Sequence, residues 1–178
     1  MEDIESLIRN ILKKRIEPLE KKFKVKTGFF LSLVRESPAD DWAFIVKLHA
    51  LIEVAVAHYL EMHFGEPKLK DVFQRLAMSD KDTGKMAFLE SLDLLKDYRE
   101  FIKTLSGIRN AYVHDISNVS LRLEDYFEKK GKIRESLIGE FKKVFTSDKS
   151  RDSVTSAPRT AIWLLAMYLL VEIYEGVE

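Results

Sequence analysis

Apolar positions recur along most of this chain at spacings of three and four, the period of an α-helix that turns one face to a core. Ile4, Leu7, Ile8, Ile11 and Leu12, with lysines, arginine and acids between them, predict an amphipathic first helix. Pro18 has no amide to donate and crowds the preceding turn, so that helix is expected to end or bend before it, with 19–25 continuing differently. Ser37-Pro38-Ala39-Asp40 combines a capping serine, a proline at the first helical position and an acid three residues after the cap. It predicts a long central helix from about Pro38 through Phe44, Ile45, Leu48, Leu51, Ile52, Val54, Ala55 and Leu60, stopping at Gly65 ahead of Pro67.

Shorter segments follow. A helix over 69–78, a polar stretch over 79–84 and a further helical segment over 85–95 lead to Phe101, Ile102, Leu105, Ile108, Ala111 and Tyr112, whose spacing predicts a helix over 98–114. Gly107 lies inside it. Glycine costs about 1 kcal/mol there relative to alanine, and the usual offset is close approach of another backbone or a ligand, so Gly107 reads as a contact hint. Two amphipathic pieces, 121–129 and 133–145, flank Gly131. The serine-, threonine- and charge-rich stretch 146–157 reads as a mobile surface loop. Pro158 opens a last helix that is apolar nearly all round, from Ile162 and Trp163 to Ile173, and so is expected to be buried on several sides. With no strand pair and no internal repeat, the pattern describes an all-α, single-domain helical bundle over 1–178, of about five to seven helices.

At 178 residues one hydrophobic core is enough, since a globule of that size buries roughly 70% of its unfolded surface. The chain carries 29 basic and 29 acidic residues, so attraction to nucleic acid cannot come from the molecule as a whole and requires a local patch. The absence of cysteine excludes disulfides and thiolate metal sites and agrees with a reducing, cytoplasmic setting. Met1-Glu2-Asp3-Ile4-Glu5 is acidic where a secretion signal carries positive charge. The longest apolar run, 161–171, is eleven residues against the about 20 needed to cross a bilayer, so a buried helix rather than a membrane association is expected.

The chemistry concentrates in Arg109-Asn110-Ala111-Tyr112-Val113-His114. RNA carries its own nucleophile, a 2′-hydroxyl beside each phosphate, so cleavage needs only proton transfer and charge stabilisation. An imidazole, with an ordinary pKa near 6.5, suits the first task, and a guanidinium that holds phosphate oxygens suits the second. On an ideal helix five residues advance by about 140° and roughly 7.5 Å, so Arg109 and His114 do not share a face. Asn110 and His114, four apart, do. Tyr112, inside the motif, is the aromatic to test for base stacking, although packing is the commoner role for such a residue, while Phe29, Phe30, Trp42, Phe44, Tyr98, Phe101 and Trp163 read as core.

An arginine and a histidine separated by four residues, with a polar residue directly after the arginine and late in a helix, resembles the signature of HEPN domains, small α-helical proteins that often act as ribonucleases. The resemblance implies a HEPN-like bundle and a metal-independent endoribonuclease, as in a toxin or defence component. It implies Arg109, Asn110 and His114 as catalytic residues, Tyr112 as a candidate substrate contact, and no metal or other cofactor. The partners it implies are an RNA substrate, a second copy of the chain whose motif lines the same cleft, and an antitoxin or other regulatory protein. Two copies of Arg109 in one groove would make a local positive site on a neutral protein, partly weakened by Asp115. A second likeness is to the mannitol operon repressor family. It is carried by the block from Phe29 through Asp40 and Asp41 to Leu48, Leu51 and Leu60, and by Pro158-Arg159 before the last helix. That likeness implies a catalytically silent regulator acting through protein binding, and the chain has no recognisable DNA-reading helix-turn-helix.

Other polar groups have plainer readings. His49, Glu53, His58, Glu61 and His63 do not share one helix face, and read as a polar edge rather than a metal site, with Glu53 a possible aid to the motif from a neighbouring helix. Lys13-Lys14, Lys21-Lys22, Lys129-Lys130 and Lys142-Lys143 read as solvated faces. Asn118-Val119-Ser120 matches a glycosylation acceptor without consequence in a chain read as unsecreted. No phosphate-binding glycine loop or nucleophile elbow is present.

Overall fold

Pro18 sits in the first turn of helix α1 (Glu17–Lys22), where no amide donor is required, and the chain before it, Leu12–Ile16, winds as a wider π turn. The change of helix type falls where the proline's missing donor demands a break. The computed structural model describes residues 12–35, 40–80, 82–145 and 150–175. Ile4, Leu7, Ile8 and Ile11 of the expected first helix, and Ser37, Pro38 and Ala39 of the expected cap, lie outside the described residues. After α1 the buried Glu20 carboxylate accepts the Gly28 amide at 2.9 Å and the Phe30 amide at 3.1 Å, with Gly28 at φ +84°. This folds the chain back into α2 (Phe29–Arg35).

The central helix, α3 (Asp41–Phe64), begins three residues beyond the expected start at Pro38. Its cap is Asp40, whose carboxylate accepts the Ala43 amide at 2.8 Å, and it ends as expected at Gly65, left-handed at φ +62°. Asp40→Ala is expected to cost about 1 kcal/mol, visible as a lower urea midpoint with unchanged slope. By length and composition α3 is apolar enough to cross a membrane, but half of its apolar window is buried inside the protein. That composition is accounted for by a helix packed on several sides within a bundle.

The chain continues through α4 (Lys70–Arg75), α5 (Lys85–Ser91), α6 (Arg99–His114), α7 (Leu123–Lys129), α8 (Gly131–Val144), α9 (Ser150–Ser156) and α10 (Pro158–Glu175), with short 3-10 turns before α4, before α6 and after α6. The described residues contain no strand, and the fold is all-α. The ten α-helices among the described residues exceed the expected five to seven because short segments stop at turns instead of merging. Part of the stretch expected to be a mobile loop is α9, pinned by the fully buried Val154 and by Arg151, which pairs with Glu135 of α8 at 2.8 and 2.6 Å. No other part of the described chain approaches Gly107, which is solvent-exposed in an unbroken helix with open space where a Cβ would stand.

All ten helices contribute to one core. α3 packs against α10 and α6, α6 against α8, and α9 against α8 and α10. The nearly all-apolar α10 is buried on most sides, as expected, and Trp163 donates its indole N–H to the Phe30 carbonyl at 2.7 Å. A polar clamp closes one end of the bundle. Asp41, 4% exposed, pairs with Arg159 at 3.2 Å and accepts the Leu123 amide at 2.8 Å. Arg159 also donates to the Leu33 carbonyl at 3.1 Å and lies 4.6 Å from the centre of the Phe44 ring. Burial pushes the Asp41 carboxyl up, while the Leu123 amide and then Arg159 pull it back.

Candidate functional site

Helix α6 carries the motif because its two edges differ. Phe101, Ile102, Leu105, Ile108 and Tyr112 face the core, and Arg109 and Asn110 are left half-buried on the flank while His114 closes the helix in solvent. Arg109 donates from Nη1 to Asn110 Oδ1 at 3.0 Å, and no carboxylate of the described residues pairs with it. By contrast Arg99, Arg122, Arg134, Arg151 and Arg159 each have an acidic partner. The His114 side chain makes no hydrogen bond or ion pair among the described residues. Asn110 thus meets the arginine, and no bond from it to the histidine is present.

Tyr112 departs from the substrate contact that its place in the motif implied. Its ring is fully buried against Tyr126 and its hydroxyl donates to the Leu121 carbonyl at 2.9 Å, so it offers no face to a base. Burial, reinforced by Asp41, pushes the phenol well above its ordinary value and keeps it a neutral donor. The backbone of the motif is held from outside by two residues that sequence reasoning missed as parts of the site. Trp42 Nε1 donates to the Tyr112 carbonyl at 3.2 Å, tying the start of α3 to the end of α6. Asn118 Nδ2 donates to the Ala111 carbonyl at 2.9 Å, occupying one of the helix's last acceptors. An asparagine four residues past a helix end is a recognisable signal for such a bond; Trp42 had none.

Asp115 follows the histidine but aims elsewhere. Its carboxylate accepts the Ser117 hydroxyl at 2.7 Å and the Ser117 amide at 3.0 Å, which hold it below the usual carboxylate range. This caps a 3-10 turn, Ile116–Asn118. Beside it the surface is apolar: Ile116 is 89% exposed, and Val113 and Val119 are also exposed.

A second polar group lies against α6. The buried His49 of α3 meets Ser106 at 3.1 Å through Nε2 and Glu53 at 3.9 Å through Nδ1. Glu53 in turn pairs at 3.3 Å with the fully buried Lys85, which also donates to the Leu76 carbonyl. Glu53 is therefore committed to Lys85 and His49, not to the motif's histidine. Serine, histidine and carboxylate in sequence invite comparison with a hydrolase relay, but Ser106 is only 3% exposed and no substrate reaches it.

Burial lowers the His49 imidazole below 6.5, and the Arg109 and Lys85 charges lower it further against the opposing pull of Glu53. Above pH about 6.5 both folded and unfolded chains hold this ring neutral. As pH falls below that, the unfolded chain takes up a proton that the folded state resists, so stability declines until the folded ring also titrates. Chemical denaturation measured from pH 7.5 to 5 is expected to show this loss, and His49→Gln is expected to flatten it.

The other histidines do not join these groups. His58 stacks on Tyr174 and faces Glu61 at 3.5 Å, and His63 packs edge-on to Phe64. Among the described residues no three histidine or acidic side chains come together as a metal site. A cleft of about 340 Å³ lined by Ser79, Met86, Ala87, Glu90 and Lys103 lies between α5 and the earlier part of α6 and contains no motif residue. Comparisons of the chain with protein-family models, curated proteins and solved structures find no match.

Proposed function

We propose that the chain is a metal-independent endoribonuclease of HEPN type, working as a homodimer in the cytoplasm as a toxin or defence component held in check by an antitoxin or other regulatory protein. The observation that carries this reading is the pairing of a half-buried arginine without a carboxylate and an exposed, unengaged histidine five residues apart on one helix. The other half-buried arginines of the described residues, Arg99, Arg134 and Arg159, each meet an acid, and Arg109 does not. Arg109 holds the scissile phosphate, and Asn110 fixes the guanidinium through its 3.0 Å bond. His114 moves the proton: the 2′-oxygen bonds to phosphorus as its proton leaves, the bond to the 5′-oxygen breaks, and that oxygen leaves protonated. A 2′,3′-cyclic phosphate and a 5′-hydroxyl are the products. The roughly 140° between the two side chains on one helix is met by a second copy, which supplies the histidine or arginine missing from each half.

A regulator akin to the mannitol operon repressors is the second reading. It is favoured by the exposed Val113, Ile116 and Val119 beside the motif, a patch suited to a protein partner. It is favoured too by the Asp41–Arg159 pair, which joins the two stretches that carry that likeness. Total RNA incubated with purified protein in excess chelator separates the readings. Cleavage that is lost in Arg109→Ala and His114→Ala supports the nuclease, and intact RNA at high protein concentration supports the regulator.

A further inference from the structure

A neutral protein that handles RNA needs a local concentration of positive charge, and the motif supplies one cation per chain. The concentration lies elsewhere. Residues 12–35 carry eight basic side chains and two acidic ones, in a chain whose total charge is zero. One of the two acids, Glu20, is buried and spends both carboxylate oxygens on the amides of Gly28 and Phe30. Lys14, Arg15, Lys21, Lys24 and Lys26 are all solvent-exposed, and none has a carboxylate partner among the described residues. Lys22, beside them, donates to the Tyr174 carbonyl at 2.9 Å, which keeps α1 on the end of α10. Taken one pair at a time, such lysines are solvated surface; together over residues 14–26, with Glu20 turned inward and Glu17 the one exposed acid among them, they form a predominantly positive field.

Their place relative to the motif is fixed by α3. The start of α3 meets the motif, where Trp42 donates to the Tyr112 carbonyl, and sixteen residues on His58 stacks on Tyr174, the residue that Phe23 packs against at 4.8 Å and whose carbonyl Lys22 bonds. The basic surface and the motif therefore stand at opposite ends of a rod of about 24 Å.

We infer that the exposed cations of residues 14–26 form a docking surface for the phosphate backbone of RNA, which leads the strand along the molecule toward the Arg109–His114 end. This rests on RNA being the substrate. A lipid surface is the other polyanion of this charge, but it favours binders with an apolar face to insert, and here Ile16, Leu19, Phe30 and Leu33 are all in the core. Phe23, the aromatic ring among residues 14–26, is half-buried against Phe30 and Tyr174, so contact is electrostatic and independent of base sequence.

The test uses His114→Ala protein, which holds RNA without cutting it, and fluorescein-labelled oligouridylate followed by anisotropy across a salt titration. Adding Lys14→Gln, Lys21→Gln and Lys26→Gln is expected to weaken binding at low salt by about tenfold or more and to lower the slope of log affinity on log salt by about 2, the value for three lost single-strand phosphate contacts. Because all three side chains are exposed, the circular dichroism spectrum and thermal midpoint are expected to match the parent. Equal affinity and slope with and without the lysines overturns the inference, as does a lysine-dependent loss seen only on phosphatidylserine vesicles. The nuclease reading fails separately. Lysine-dependent RNA binding by a native protein that leaves RNA intact removes catalysis and keeps the surface, whereas cleavage with lysine-independent binding does the reverse.

Discussion

His114→Ala is expected to reduce RNA cleavage by about 10²–10⁴-fold, and Arg109→Ala by about 10²–10³-fold, with the fold intact in both. The size of the first follows from what general acid–base transfer contributes in enzymes; the second follows from removing one charged donor to the developing phosphorane. Neither loss should come with lower stability, since His114 makes no hydrogen bond or ion pair among the described residues and Arg109 bonds only to its neighbour Asn110. Asn110→Ala is expected to be milder, because it frees the guanidinium without removing it. Fluorogenic RNA turnover at matched protein concentration, with thermal midpoints recorded alongside, reads both effects. If turnover persists in either alanine variant, that side chain has no part in the chemistry.

The largest stability effect is expected at the other end of the motif's support. Arg159→Ala leaves Asp41 buried with its counter-charge gone, and breaking such a pair costs about 3–5 kcal/mol. For a domain of this size that lowers the thermal midpoint by roughly 10 °C. The clamp spans α3, α7, α10 and the end of α2, so the loss spreads through the bundle rather than fraying one helix. Replacing both partners together, with Asp41→Asn and Arg159→Met, is expected to cost less than the sum of the single changes, since no lone charge is left inside. A change below 1 kcal/mol in Arg159→Ala would show that the pair is solvated and structurally idle. Because burial raises the Asp41 carboxyl, the folded state takes up that proton more readily than the unfolded chain and acid costs no stability through this group; the His49 ring, whose neutral form the fold prefers, is the group expected to weaken the protein as pH falls.

The sequence made the helices legible wherever enough apolar residues fell in step. Gly65 and Pro158 marked a stop and a start that the structure reproduces. Helix α9 escaped because a single buried apolar residue, Val154, sets no period in a serine-rich stretch. The cap of α3 was misplaced because Ser37 and Asp40 are both good capping residues three positions apart, and nothing local chooses between them. Tyr112 carried two readings at once: its spacing from Leu105 and Ile108 put it on the apolar stripe, its place inside the motif suggested a stacking platform, and its burial agrees with the first. The contacts that hold the site in place were not readable in any window. Asp41 meets Arg159 across 118 positions, His49 meets Ser106 across 57, and Trp42 meets Tyr112 across 70, each set by packing of whole helices. The basic surface was present as composition in residues 12–35, but its strength depends on Glu20 being turned inward, which composition cannot express.

The chemistry leaves its own record on the product, and mass spectrometry of RNA fragments made in excess chelator reads it directly. Fragments ending in 2′,3′-cyclic phosphate and beginning with a 5′-hydroxyl are the result expected of attack by the 2′-oxygen under Arg109 and His114. Fragments carrying 5′-phosphate, or RNA that stays whole at every protein concentration, would contradict it.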